Sequence, residues 1–399
     1  MKKVLVIGGG VYQVPLIKRI TEMGHQAYCV DKNPKAPGFC YAHEYRVIDV
    51  LDQNACLDYA KEISIDAVMT YGATITLPTV TYVAKYFGLP ALPVYTANIS
   101  KNKYSIKKCL YENGCNVKGS FFELESINDS YKYDFNFPCV IKPTDGSGSK
   151  GVTIVSCKQE LRDAIKYGLE AARYGTVYCE DYIDGTEYSV EAFVAGEKVY
   201  IYGIVKTTFE RLNENNEGIE YGHRTPSGLS KMDEERIENE IKKAVKALEI
   251  NMASVNFDVI LSSEDNQPYV IDCGIRIGQN ALASHILPFS TGVSIIDNTI
   301  KQALGEKIDA KPKRRKCIAS RLLIYNPGII QEIKNVQELI GKDGILDIIL
   351  RKHVGDFQNE YHDKSDTCGW VICEGNTPEE AESRASIARL KLKEYFVIC

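Results

Sequence analysis

The chain has no C-x-x-C cysteine pair, no excess of positive charge, and no apolar run near the roughly 20 residues that span a bilayer. Its thirteen cysteines are odd in number and scattered, so neither a disulfide framework nor a zinc site is indicated, and a reducing cytosol is expected. A formal net charge of -5 argues against a general nucleic-acid binder; the one dense basic run, Lys311 to Lys316, is short and reads as a solvated linker. The opening Met-Lys-Lys-Val-Leu-Val-Ile could imitate a secretion signal. Glycines interrupt it and Lys18 and Arg19 follow, so a first β-strand is the better reading. No Ser-His-Asp or Cys-His arrangement is evident. What remains is a 399-residue chain of ordinary globular composition, 44% hydrophobic and 25% charged, long enough for two to four domains.

The most distinctive stretch is Pro-Cys-Val-Ile-Lys-Pro-Thr-Asp-Gly-Ser-Gly-Ser-Lys-Gly at 138–151. Cys139 to Ile141 form a short apolar strand ending in Lys142. The segment Gly146, Ser147, Gly148, Ser149 and Gly151 allows positive φ and close backbone approach to an anion. Gly-Val-Thr-Ile-Val-Ser at 151–156 reads as a second strand, so this is a phosphate lid between strands or an ordinary Gly/Ser connection, not a strand-to-helix phosphate loop.

Before it, residues 1–95 alternate strands and helices, which implies a doubly wound parallel sheet covered on both faces. Gly8, Gly9 and Gly10 follow the first strand and Asp31 ends the second, as in a dinucleotide fold. Gln13 stands where the third fingerprint glycine belongs, so dinucleotide binding is not supported. A basic helix is predicted over 100–114, capped by Ser100, with Ile106 and Leu110 four apart and most of its lysines on the surface.

Beyond the lid, Glu180, Asp184, Glu187 and Glu191 crowd one strand-and-turn segment and cannot all be buried without partners. Adenine, whose amine needs an acceptor, and ribose hydroxyls are suitable ones. A hairpin turning at Ala195 to Lys198 is expected to set Glu187 opposite Lys206, either as a structural pair or as a lysine held ready for phosphate. A second hairpin, turning at Asp265, is expected to set Asp258 opposite Asp272 and Asn256 opposite Gly274. Two carboxylates so opposed become favourable when they share a divalent cation, and magnesium on phosphate oxygens takes one or two carboxylates. Arg276 continues the same face, where it can meet a phosphate or an oxyanion.

Taken together and in this order, the Pro-Cys-Val-Ile-Lys-Pro strand with its lid, the Glu-Asp-Tyr-Ile-Asp-Gly-Thr-Glu-Tyr-Ser-Val segment and the Asn-Phe-Asp and Ile-Asp-Cys-Gly-Ile-Arg strands resemble the ATP-grasp superfamily. The resemblance implies an α/β (α+β) architecture: an amino-terminal Rossmann-like sheet over 1–95, a two-lobed ATP-grasp domain over 96–310 with a lid subdomain at about 117–190, and a carboxy-terminal α+β lobe over 311–399. It implies that Lys103 and Lys142 meet ATP phosphates, with Ser147, Gly148, Ser149 and Gly151 in the lid. Glu180 takes the adenine amine, helped by the backbone of Asp181, Tyr182 and Ile183, and Glu187 holds the ribose near Lys206. Asp258 and Asp272 bind magnesium, or manganese in its place, with Arg276 at the transferred phosphoryl group.

Two departures stand out: aspartates occupy metal positions where family members usually carry glutamates, and Gly274 replaces an asparagine, for which Asn256 across the ladder is the expected substitute. Residues 311–399 resemble the L-amino acid ligase branch, through Tyr325 to Ile330, Thr367 to Ile372 and Asn376 to Ala381, and so does His223 as a substrate residue. The activity implied is cytoplasmic ATP-dependent joining of a small carboxylate to an amine through an acyl phosphate, acting on amino acids, by an enzyme of a kind often dimeric. The alternatives are a carbamoyl-phosphate-synthase-like or purine-biosynthetic ligase using bicarbonate or another small carboxylate, and a nucleotide-binding protein without turnover.

Overall fold

The structure, a computed structural model, describes residues 1–146, 148, 150–210, 219–278, 281–361 and 366–399; Ser147 and Ser149 lie outside the described residues. The first four strands, β1 (Lys3–Ile7), β2 (Gln26–Asp31), β3 (Glu44–Val47) and β4 (Ala67–Met69), form a parallel sheet in the order β3-β2-β1-β4. The two-residue period of β1 serves both faces. Val4 and Val6 pack with α1 (Val14–Glu22), while Leu5 and Ile7 pack with α2 (Gln53–Ile63) and α3 (Leu77–Tyr86). Gln13 tucks beneath the glycine turn: a side chain on Gly8 would meet its carboxamide at 3.4 Å, and that carboxamide donates to the Tyr71 carbonyl. Asp31 is used internally as well, accepting the Gly9 N–H at 2.8 Å.

The predicted helix over 100–114 is two helices, α4 (Val94–Ile99) and α5 (Lys103–Glu112). Asn102 breaks it: in extended backbone, its carboxamide oxygen accepts the Ser105 N–H at 2.8 Å and caps α5, whereas Ser100 closes α4 by donating to the Ala97 carbonyl. Lys103 is therefore the first residue of α5.

An antiparallel sheet follows, β5 (Phe121–Leu124), β6 (Cys139–Pro143), β7 (Thr153–Val155) and β8 (Val177–Asp181), ordered β5-β8-β6-β7. Cys139, Ile141, Val177 and Cys179 pack with α6 (Lys158–Ala171), which leaves Val140, Lys142 and Glu180 on the opposite face.

The largest sheet has eight strands, all antiparallel, in the order β13-β12-β9-β10-β11-β14-β18-β16. Its members are β9 (Gly185–Ala195), β10 (Lys198–Glu210), β11 (Ile219–Thr225), β12 (Met252–Ser262), β13 (Pro268–Gly274), β14 (Cys317–Leu323), β16 (Ile345–Leu350) and β18 (Gly369–Gly375). The sheet thus runs on from the middle of the chain into its last quarter. Val190, Ala192, Val255, Phe257 and Val259 face α7 (Lys231–Ala247) and form one core. The alternate residues of β9 and β12, Ser189, Glu191, Asn256 and Asp258, face the other way. Short helices α8 (Leu287–Thr291) and α9 (Ile295–Ala303) close the join to the first sheet. A small sheet of β15 (Gly328–Ile333), β17 (Phe357–Gln358) and β19 (Phe396–Ile398), with α10 (Pro378–Leu392), completes the molecule.

The β12–β13 register is as the sequence predicts: Asp258 faces Asp272 and Asn256 faces Gly274, and the ladder shifts only beyond them, between Asp258 and Val259. The β9–β10 register differs. The turn lies at Ala195 and Lys198, but a bulge between Ile201 and Gly203 moves the ladder by one residue, so Lys206 faces Tyr188 and not Glu187. The extra residue is Tyr202, buried against Phe193, whose hydroxyl accepts from Asn298. A buried tyrosine with its own hydrogen bond gives the bulge its anchor.

Candidate ATP and metal site

The lid sheet and the large sheet enclose a cleft of about 1290 Å³. Lys103, Lys142, Gly146, Gly148, Lys150, Glu180 to Ile183, Glu187, Lys206, Asp258 and Asp272 line it. The structure thus brings eleven of the predicted residues to one cleft, from Lys103 to Asp272, 169 positions apart in sequence; Gly151, His223, Asn256 and Arg276 are not among the residues that line it.

At its inner end Glu180 is buried between two lysines. One carboxylate oxygen lies 2.7 Å from Lys107 Nζ and the other contacts Lys142 Nζ. Burial pushes the Glu180 carboxyl up, but the two cations outweigh it and hold it below its ordinary value. Lys142 shows the mirror result: burial lowers its affinity for the proton, and Glu180 more than restores it. Lys142 also points toward the Ile271 carbonyl at 3.5 Å and reaches the cleft. Lys107, 3% exposed, donates to the Val270 carbonyl at 3.2 Å.

On the facing sheet, Asp272 contacts Lys103 and accepts the Cys273 N–H. Burial raises its pKa, and Lys103 with Lys142 brings the balance below the ordinary carboxylate range. Asp258 accepts from Ser189 Oγ at 2.9 Å, and Ser189 accepts in turn from Asn256 Nδ2 at 2.9 Å. Asn256 itself is buried and does not line the cleft, which it meets only through Ser189 and Asp258. Among the described residues no three His, Cys, Asp or Glu side chains cluster closely enough to hold a metal by themselves. Two opposed carboxylates on the cleft still fit magnesium, because that ion takes only one or two carboxylates and keeps several waters.

Arg276 follows the hairpin and lies over Gly274: a Cβ there would come within 2.9 Å of the guanidinium carbon. The space left by the missing side chain is filled by the arginine. Behind them Glu191 is wholly buried, its pKa pushed up to about 8 by burial, with Arg276, the Gly278 N–H and Asn256 favouring the charge less strongly. Neither of its oxygens has a well-formed hydrogen bond among the described residues.

His223 sits behind the cleft wall, buried, 3.5 Å from Glu220, and it is Glu220 that lines the cleft. Tyr361, from the last quarter of the chain, lines it too. Gly151 is drawn away from the cleft: its Cβ position lies 2.6 Å from Ala171 of α6. Sequence reasoning missed Lys107. The signal was present, since 103, 106, 107 and 110 mark one helical face and Ile106 and Leu110 are both buried.

Comparison with known proteins agrees with this geometry. Residues 135–284 match the family model for the ATP-grasp domain, and residues 321–393 match L-amino acid ligase C-terminal domain 2. The formate-dependent phosphoribosylglycinamide formyltransferase of Sulfurisphaera tokodaii is 22% identical over 391 residues, covering 96% of this chain and 95% of that protein. The carbamoyl phosphate synthase large chain of Caldanaerobacter subterraneus is 24% identical over 328 residues; the match takes in 77% of this chain, which spans only 29% of that synthase. Among solved structures, the L-amino acid ligase from Bacillus licheniformis superposes with a TM-score of 0.83 at 21% identity, over 100% of this chain and 98% of that one. The chain contains an ATP-grasp domain, followed by a domain matching L-amino acid ligase C-terminal domain 2.

Proposed function

We propose that the chain joins two amino acids, or an amino acid and another amine, into an amide by way of an acyl phosphate. One carboxylate oxygen of the first substrate attacks the γ-phosphorus of ATP, the bond from phosphorus to the bridging oxygen breaks, and ADP leaves. The amine nitrogen then attacks the acyl carbon, the C–O bond to phosphate breaks, and the amine gives up a proton as the amide forms. The observation that carries this reading is the meeting of Lys103 and Lys142 with the opposed Asp258 and Asp272 on one cleft. Phosphoryl transfer needs positioning and charge neutralisation above all, and this set supplies both. Magnesium bound by Asp258 and Asp272, with Asn256 behind Asp258 through Ser189, would neutralise phosphate charge. Lys142 and Lys103 hold the phosphates, Arg276 faces the transferred group, and the lid over 138–151 keeps water from the acyl phosphate. Glu180 with the backbone of 181–183 takes adenine, and Glu187 the ribose. The C-terminal domain match supports amino acids as the substrates, and thirteen cysteines with no disulfide among them support a cytosolic site of action.

A second reading, a ligase for bicarbonate or another small carboxylate, draws on the full-length match to a formate-using enzyme. Phosphate release from magnesium and ATP, measured with pooled amino acids and with bicarbonate or formate alone, separates the readings. The proposal expects release only when two amino acids, or an amino acid and an amine, are present, and its loss in Lys142→Ala. Release with bicarbonate or formate alone favours the second reading. Nucleotide binding without release under any condition contradicts both, and full activity in Lys142→Ala contradicts the site.

A further inference from the structure

The two lysines on Glu180 are not equivalent. Lys142 belongs to β6 of the lid, reaches the cleft, and touches Glu180 through one carboxylate oxygen. Lys107 belongs to α5, is absent from the cleft wall, and is sealed between the other Glu180 oxygen at 2.7 Å and the Val270 carbonyl at 3.2 Å. A buried carboxylate stays ionised only while a cation accompanies it. If Lys142 turns toward phosphate, Glu180 would be a lone buried charge were Lys107 not there. Helical spacing makes the arrangement possible: Lys103 and Lys107 are four residues apart on one face of α5, so the same helix presents one lysine at Asp272 and the other at Glu180.

We propose that Lys107 is the resident counter-ion of Glu180 and thereby sets the nucleotide preference of the site for adenine over guanine. This rests on the assignment of Glu180 to the base. An ionised carboxylate accepts the exocyclic amine that adenine presents, and it repels the carbonyl oxygen that guanine presents at the same edge. A neutral carboxyl can donate to that carbonyl, so discrimination falls once the charge is lost. Without Lys107, Glu180 either becomes neutral or keeps Lys142 for itself, and both outcomes weaken the grip on ATP. Lys107 is a positioning residue, since it touches Glu180 and not the nucleotide.

The experiment is titration calorimetry of ATP and of GTP, each with magnesium, into the wild-type chain, Lys107→Met and Lys107→Arg. Methionine matches the stem of lysine without its charge, and a thermal melt shows whether each variant is folded. The expected result is wild-type preference for ATP, an ATP-to-GTP affinity ratio at least about tenfold smaller in Lys107→Met, and a ratio largely restored in Lys107→Arg. If Lys107→Met does not fold, Lys107→Gln is read by the same ratio. A variant that weakens both nucleotides equally, leaving the ratio unchanged, overturns the proposal and makes Lys107 a structural residue. A wild-type chain that binds neither nucleotide overturns the nucleotide site itself, and a wild-type chain that binds GTP as well as ATP overturns only the assignment of Glu180 to the base.

Discussion

Glu191 is a carboxylate that burial pushes well above its ordinary range. It lies on the same face of the large sheet as Ser189 and Asp258, opposite Asn256 in the ladder, and a side chain on Gly278 would collide with its carboxylate. Burial raises its pKa from 4.5 to about 8, so the folded chain holds this proton more tightly than the unfolded one. The stability it contributes is complete below about pH 4.5 and is lost as pH rises through about 8. Glu191→Gln cannot titrate. In metal-free buffer, the fall in unfolding free energy between pH 5 and pH 8.5, read by denaturant titration, is therefore predicted to be larger for wild type than for the variant, by on the order of a few kcal/mol. Parallel curves would contradict the account of Glu191. This residue was visible in the sequence only as one of four acids needing partners. The other three find surroundings the sequence did not name: Glu180 between lysines, Asp184 with Ser263, and Glu187 on the cleft. That Glu191 would be the buried exception depends on how three segments of chain pack around it, which one strand cannot reveal.

At the scale of elements, the hairpin carrying Asp258 and Asp272 was readable because polar turn residues at 262–267 fix its register and alternation fixes its faces. The neighbouring β9–β10 hairpin has an equally clear turn. Its register failed at Tyr202, because a bulge is decided by what a buried ring packs against and not by the turn. Helix α5 failed for a local reason: Ser100 and Asn102 are both good caps, and extended backbone at Asn102 ended one helix and began another. That cap bears on the proposed site, because the residue after it is Lys103. Asn102→Ala is predicted to cost about 1 kcal/mol of stability and to raise the KM for ATP several-fold, as the first turn carrying Lys103 frays. Denaturant unfolding and steady-state kinetics check it; unchanged KM with unchanged stability would show that the cap does not position Lys103.

For the whole molecule, the continuous eight-stranded sheet makes the last quarter of the chain part of the site. Glu382 of α10 accepts from Thr208 at 3.1 Å, Arg321 at 2.8 Å and Arg224 at 3.2 Å, and Thr208 lines the cleft. With Tyr361 on the same wall, a substrate in the cleft would lie against residues from both sheets and from the C-terminal stretch. The identity of that substrate is the part least legible in the sequence, because it is set by the shape of a wall assembled from distant segments. The placement of Lys142, Glu180, Asp258 and Asp272 on one cleft was legible, because each stands at a fixed place on a strand whose alternation can be read. The central claim is a claim about bonds, and one isotope measurement addresses it. With an amino acid labelled with ¹⁸O in its carboxylate, unlabelled ATP and an amine partner, the acyl-phosphate route carries one ¹⁸O into each released phosphate, read by mass spectrometry. Released phosphate free of label, with amide formed, would contradict it.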